Sequence, residues 1–122
     1  MTKPTQSQSL AEAFTSLHHK GGAPLVLVNV WDAASARLVE EAGAKALATS
    51  SSAISWSMGF PDGNRLPAGL AMSVLERIVA ATSIPVTADI EAGYAGSGDD
   101  FDDTRLRDTI LGVLDAGAVG IN

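Results

Sequence analysis

Two acidic residues, Asp89 and Glu91, follow an apolar stretch in the segment IPVTADIEAGY at residues 84–94. In an extended strand, side chains at positions i and i+2 share a face, with Cα atoms about 6.6 Å apart. Carboxylates held that close repel one another unless a cation is bound, and Mg²⁺ prefers such oxygen ligands while keeping several waters. The spacing predicts a metal site with one direct and one water-mediated carboxylate. A solvated strand end is the plainer alternative.

A long polar segment, TSSSAISWSMGFPDGNRLP, precedes this pair in the chain. It is predicted as a loop far longer than the two to six residues usual between a strand and a helix, and long loops in compact domains tend to be functional. The hydroxyl and N–H groups of Ser50, Ser51 and Ser52 are suited to a carboxylate or phosphoryl oxygen. An ordinary polar loop explains the serines equally well, and Asp62 in FPDG is also a common type I turn residue.

Apolar runs and amphipathic segments alternate along the whole chain. A leading helix with Ser9 as its N-cap is followed by a strand in PLVLVNV, whose continuous apolar character predicts burial on both faces. Asp32 is the predicted N-cap of the next helix. The pattern gives four strands and three crossover helices after the leading helix, which is typical of a parallel α/β sheet.

A (β/α)8 barrel explains this alternation better than a dinucleotide-binding fold. The first strand runs into VNVWDAASA, which lacks the glycine fingerprint expected there. A complete barrel takes about 250 residues, whereas this chain has 122. We therefore expect residues 1–122 to be the N-terminal half of a single TIM-barrel domain, truncated. A half-barrel that closes against a second copy is the alternative.

Composition narrows the class of partner. The formal net charge is −6 with only eight Lys and Arg residues, which argues against a nucleic-acid or anionic-membrane surface. The chain has no cysteine, so a thiolate nucleophile and a Cys-ligated metal are excluded. No apolar run approaches the roughly 18 residues of a membrane span. These features favour a cytoplasmic protein that binds a small molecule.

The order of three segments resembles the isocitrate lyase and phosphoenolpyruvate mutase superfamily. These segments are WDAASARLVEEAGAKALATSSSAISWSMGFPDG, PVTADIEAGY and DAGAVGIN, and the resemblance extends from about Pro24 to Asn122. It is greatest to the carboxyphosphonoenolpyruvate phosphonomutase-like branch. The resemblance implies a (β/α)8 barrel in a homo-oligomer.

The resemblance also implies a Mg²⁺ cofactor, with Mn²⁺ as the alternative, and roles for individual residues. Asp89 would contact the metal directly, Glu91 and Asp62 would reach it through water, and all three would serve catalysis. Ser50, Ser51 and Ser52 would hold the substrate, a small α-oxo or 2-hydroxy carboxylate. The shared chemistry is C–C or P–C bond cleavage or formation through an enolate, and lyase, phosphonomutase, hydrolase and decarboxylase reactions all remain open. A catalytically incomplete fragment or assembly module of the same fold is the alternative.

Overall fold

A computed structural model describes residues 5–19 and 21–122, and these residues form four strands and five α-helices. The strands are β1 (Val28–Val30), β2 (Leu47–Thr49), β3 (Val86–Ala88) and β4 (Gly120–Ile121). The helices are α1 (Gln6–His19), α2 (Ala33–Glu41), α3 (Ser51–Ser57), α4 (Ala68–Ala80) and α5 (Asp103–Asp115), with a 3₁₀ turn at Gly98–Asp100.

The four strands form one parallel sheet in the order β1-β2-β3-β4, as predicted. Thr49 in β2 is opposite Val30 in β1, and Ala88 in β3 is opposite Ile121 in β4. Helices α2, α4 and α5 lie in the three connections between neighbouring strands. Because parallel strands end at one edge of a sheet, the residues that follow Thr49 and Ala88 are brought side by side.

The core forms where the sheet packs against the helices. All three residues of β2 and of β3 are buried, and Leu47 is completely inaccessible. Helix α4 contributes its apolar face at helical spacing, with Ala71, Val74, Leu75 and Ile78 buried. Burying a leucine such as Leu47 contributes about 2 kcal/mol, so β2 and β3 are the firmly held part of the sheet.

Strand β1 is less buried than the sequence predicts. Val28 is 40% exposed and Val26, just before the strand, is 70% exposed, whereas Val30 is fully buried. Among the described strands, β1 pairs with β2 alone. The prediction of burial on both faces for PLVLVNV was therefore wrong, because this strand lies at an edge of the sheet.

The predicted N-cap of α2 is confirmed, whereas the predicted N-cap of α1 is wrong. Asp32 caps α2 as expected: the Ser35 N–H donates to its Oδ1 at 2.6 Å, and its own N–H donates to Ser35 Oγ at 3.1 Å. At α1 the prediction of Ser9 was wrong, since the helix begins at Gln6. Thr5 and Gln8 bond reciprocally there, over 2.8 and 3.3 Å. They have the same spacing as Ser9 and Glu12, so the capping pattern is satisfied one turn earlier.

The long segment after β2 is not a loop throughout. Ser50 caps helix α3 by accepting from the Ala53 N–H at 3.3 Å, and Ile54 on that helix is buried in the core. The prediction of a continuous loop was therefore wrong, and irregular structure is confined to the residues between α3 and α4. Among the described helices, none has both the length and the apolar character that a bilayer crossing requires.

The two Ala-Gly-Ala joints after α2 and α5 have the same backbone conformation. Gly43 has φ +99° and Gly117 has φ +86°, the left-handed residue that commonly ends a helix. A Cβ on Gly43 would meet nothing within 4 Å, whereas a Cβ on Gly117 would lie 3.2 Å from Val79 Cγ1. The repeated sequence therefore reflects a repeated chain reversal.

We expect Gly43→Ala to lower the free energy of unfolding by about 1–2 kcal/mol, the cost of a side chain in the left-handed region. Gly117→Ala should lower it further, because its methyl group also meets Val79. Urea denaturation measures both, with Gly69→Ala as the control, since Gly69 lies in α4 at an ordinary φ with open space around it. A loss at Gly117 no greater than that at Gly43 would contradict this account.

Candidate active site

Asp89 is fixed between the ends of β2 and β3. Its backbone N–H donates to Thr49 Oγ1 at 2.9 Å. Its Oδ2 accepts two hydrogen bonds from Ser51, from the N–H at 3.1 Å and from the hydroxyl at 2.6 Å. Its Oδ1 accepts from the Glu91 N–H at 3.0 Å. The parallel register that places β2 beside β3 thus also fixes this carboxylate.

Glu91 lies beside Asp89 for a reason other than the predicted one. Strand β3 ends at Ala88, and Glu91 has φ +52°, so the two acids do not alternate along an extended strand. A turn after β3 brings them together instead, with the Glu91 N–H on Asp89 Oδ1. The end of β4 supports this turn, since the Ile90 N–H donates to the Asn122 carbonyl at 3.3 Å.

The two carboxylate oxygens of Glu91 have different surroundings. Oε2 accepts a hydrogen bond from the Asn64 N–H, which belongs to the segment between α3 and α4. Oε1 is buried and has no hydrogen-bond partner among the described residues. Glu91 therefore has one hydrogen-bonded carboxylate oxygen and one buried oxygen without a partner among the described residues.

Ser50, Ser51 and Ser52 form hydrogen bonds within the protein. Ser51 donates to Asp89, and Ser50 caps α3. The hydroxyls of Ser50 and Ser52 lie 3.2 Å apart. The sequence did not reveal the contact from Ser51 to Asp89, because the two residues are 38 positions apart.

Tyr94 is a residue of the candidate site that the sequence pattern did not reveal. It is partly buried, and burial raises the pKa of its phenol to about 12, with further contributions from the charges of Glu91, Asp89 and Asp62. Asp62 itself is exposed, and its Oδ1 accepts from the Gly63 N–H at 2.9 Å. The charges of all three predicted acids therefore act on one phenol. The position of Tyr94 three residues after Glu91, as the chain's single tyrosine, was the available signal.

The donor set suits a hard divalent cation. The ion pairs of the described residues join Arg37 to Glu41, Arg105 to Asp102 and Arg107 to Asp108, and they leave the acids around Tyr94 uncompensated. Within residues 5–19 and 21–122, no three His, Cys, Asp or Glu side chains are grouped closely enough to enclose a metal. Asp89 and Glu91 are therefore the two neighbouring carboxylates that could hold a Mg²⁺ ion, which usually keeps several waters.

Comparison with known proteins gives consistent matches. A model of the phosphoenolpyruvate phosphomutase family matches residues 14–122. An uncharacterized protein of Mycobacterium tuberculosis (strain H37Rv) is 40% identical over 101 residues, which are 83% of this chain and 38% of that protein. A candidate phosphonomutase from Burkholderia cenocepacia J2315 has a TM-score of 0.82 and 46% identity, over 95% of this chain and 43% of that chain.

A phosphonopyruvate hydrolase in complex with oxalate and Mg²⁺ is also similar, with a TM-score of 0.75 and 26% identity, over 97% of this chain and 38% of that chain. This chain thus spans between 38% and 43% of the length of the proteins it matches here. Its parallel sheet corresponds to the N-terminal part of the TIM-barrel fold of the phosphoenolpyruvate mutase and isocitrate lyase superfamily, and the predicted fold class is confirmed.

Titration of the single tyrosine reports on its burial and on the charges of Glu91, Asp89 and Asp62. We expect the absorbance of Tyr94 at 295 nm to titrate with a midpoint near pH 12, against about 10 for an unperturbed phenol. Because the folded pKa is the higher one, the stability that Tyr94 contributes is complete below pH 10 and is lost as the pH rises toward 12.

Asp62→Asn should lower that midpoint by removing one negative charge that acts on Tyr94. Asp99→Asn should not change it, because the charge of Asp99 is not among those that raise the pKa of Tyr94. Circular dichroism at each pH verifies that the chain is folded. A midpoint near 10 in the folded protein would show that neither burial nor the acids raise the pKa of Tyr94, and a midpoint that Asp62→Asn leaves unchanged would show that the charge of Asp62 does not act on it.

Proposed function

The chain belongs to the phosphoenolpyruvate phosphomutase family, and from that premise we propose that it supplies part of the site of a Mg²⁺-dependent lyase or mutase. Mn²⁺ is the alternative metal. The substrate class is a small α-oxo or 2-hydroxy carboxylate. The reaction makes or breaks a C–C or P–C bond through an enolate.

The observation that carries this proposal is the buried, unpartnered Oε1 of Glu91 beside Asp89. A buried acceptor left unpaired costs about 1–3 kcal/mol, and more when it is charged. A cation at this point would remove that cost. Asp89 Oδ1 accepts only the Glu91 N–H among the described residues, so it keeps a lone pair for the same ion.

The proposed ligand roles follow the family resemblance. Asp89 contacts the metal directly, while Glu91 and Asp62 act through its waters. The phosphonopyruvate hydrolase bound to oxalate and Mg²⁺ supports both the metal and the ligand class, since oxalate is a small dicarboxylate. The hydrogen bonds described above are compatible with these roles, because each acid near Tyr94 keeps acceptor capacity.

The bound metal would supply Lewis acidity, which stabilises negative charge as it develops on an enolate oxygen. Ser51 and Thr49 hold Asp89 in one orientation, so this carboxylate is already positioned before a metal or substrate binds. One of the Ser50 and Ser52 hydroxyls donates to the other, and both O–H groups can rotate to donate to a substrate carboxylate. Tyr94 stays protonated at neutral pH and can donate a hydrogen bond.

Calorimetric titration with Mg²⁺ and then oxalate tests this proposal. We expect the wild-type chain to bind oxalate only when Mg²⁺ is present, and Asp89→Ala to abolish measurable binding. Ser51→Ala removes an outer partner of Asp89 and should weaken metal binding on the order of 10–100-fold. Asp99→Ala is the control for general loss of negative charge. Binding to Asp89→Ala as tight as to the wild type would overturn the assignment.

A non-catalytic assembly module is the second candidate function. The observation in its favour is apolar exposure at both edges of the sheet, at Val26 (70%), Val28 (40%) and Ile121 (50%). Unpaired strand edges are templates for pairing with another chain. Size-exclusion chromatography with oxalate binding discriminates: a dimer that Val28→Lys dissociates and that binds no oxalate in the presence of Mg²⁺ would favour this function. A chain that binds Mg²⁺ and oxalate as a monomer would defeat it.

A further inference from the structure

A side-chain contact joins two segments of the candidate site that lie far apart in sequence. The backbone N–H of Asn64 donates to Glu91 Oε2, across 27 positions of the chain. Asn64 belongs to the exposed stretch 61–65, which also carries Asp62. The acceptor is a charged carboxylate on the turn after β3, so this contact is of the stronger kind.

The exposed stretch has few other attachments. Residues 61–65 are all solvent-exposed, and Leu66 at the end of the stretch is buried in the core. Phe60 at the beginning is partly buried against the same core. The hydrogen bond to Glu91 thus holds the middle of the exposed stretch 61–65, whose flanking residues Phe60 and Leu66 pack against or within the core.

The backbone on both sides of this bond is in a sparsely populated conformation. Asn64 has φ +57° and Glu91 has φ +52°, and neither is glycine. Such residues cost about 1–3 kcal/mol each and persist where the surroundings determine them, often at functional sites. Within the described residues, the third non-glycine residue with positive φ is Tyr94, in the same turn as Glu91.

We infer that Glu91 is a positioning residue: its Oε2 holds Asn64 and thereby positions the exposed stretch 61–65, which carries Asp62, against the turn after β3, while Oε1 stays available to a divalent cation. The positioning role stands on the hydrogen bond alone. The coupling to a cation rests on the proposed function.

The two oxygens belong to one planar group, so what fixes one restricts the other. Holding Oε2 on Asn64 orients Oε1, and a cation on Oε1 in turn restrains the carboxylate that holds Asn64. Because coupling free energies are reciprocal, the factor by which the contact raises cation affinity equals the factor by which the cation stabilises the contact.

Hydrogen exchange at the Asn64 amide, measured by NMR, tests the positioning role without any activity assay. We expect this amide to be protected in the wild type and to exchange at least about tenfold faster in Glu91→Ala, which removes a hydrogen bond to a charged group. Glu91→Gln keeps an acceptor at the same position and should give an intermediate rate. An unchanged rate at Asn64 in folded Glu91→Ala would overturn the inference.

The amide of Leu47, which donates to the Pro85 carbonyl in the core of the sheet, is the internal control. If Glu91→Ala unfolds, exchange at Leu47 rises with that at Asn64, and the milder Glu91→Gln then decides. An increase confined to Asn64 in that variant supports the positioning role, and no increase contradicts it.

Addition of Mg²⁺ tests the coupling separately. Exchange at Asn64 should slow in the wild type and stay unchanged in Glu91→Ala. A wild-type chain that binds Mg²⁺ by calorimetry without slower exchange at Asn64 would overturn the coupling and leave the proposed function intact. A wild-type chain that binds no Mg²⁺ would overturn the proposed function instead, while a protected Asn64 amide would still support positioning.

Discussion

The two hydrogen bonds from Ser51 to the Asp89 carboxylate are the interaction on which the site depends. They run from the first residue of α3 to the first residue after β3, and so connect the ends of two neighbouring strands. Each hydrogen bond to a charged group is worth about 1.5–3 kcal/mol. The contact exists because β2 and β3 are parallel neighbours whose buried residues leave little freedom of register.

This arrangement has an electrostatic cost that no ion pair of the described residues offsets. The acids around Tyr94 have no ion pair among the described residues, and one oxygen of Glu91 is buried without a partner. A site that concentrates negative charge and uncommitted oxygens is poorly arranged for stability alone. It is well arranged for a ligand that brings positive charge, and the strained backbone at Asn64 and Glu91 agrees with a functional origin.

The sequence was sufficient for the fold because its signals are local. The apolar runs at β2 and β3, the cap at Asp32 and the glycines at 43 and 117 are each determined within a few residues. The edge position of β1 was not predictable in this way, since burial depends on which strands lie beside it. Ser9 failed as a cap because two equivalent capping patterns occur one turn apart, and local spacing does not choose between them.

The candidate site was only partly predictable, for the opposite reason. The residue types at Asp89 and Glu91 indicated a cluster of acids, but the proposed geometry assumed that the strand continued to Glu91. The contacts that define the site join residues 27 and 38 positions apart, from Asn64 to Glu91 and from Ser51 to Asp89. Such contacts depend on the packing of whole elements, and neither periodicity nor motif spacing reveals them.

The proposed function places the cation at the acids after β3, Asp89 and Glu91, rather than at the acids around the start of α5. Paramagnetic broadening of amide resonances by substoichiometric Mn²⁺ tests it most directly, because broadening falls steeply with distance from the ion. We expect the amides of Ser51, Asn64 and Glu91 to broaden first. Broadening centred on the acids around the start of α5, which are Asp99, Asp100, Asp102 and Asp103, with the amide of Glu91 unaffected, would contradict that placement.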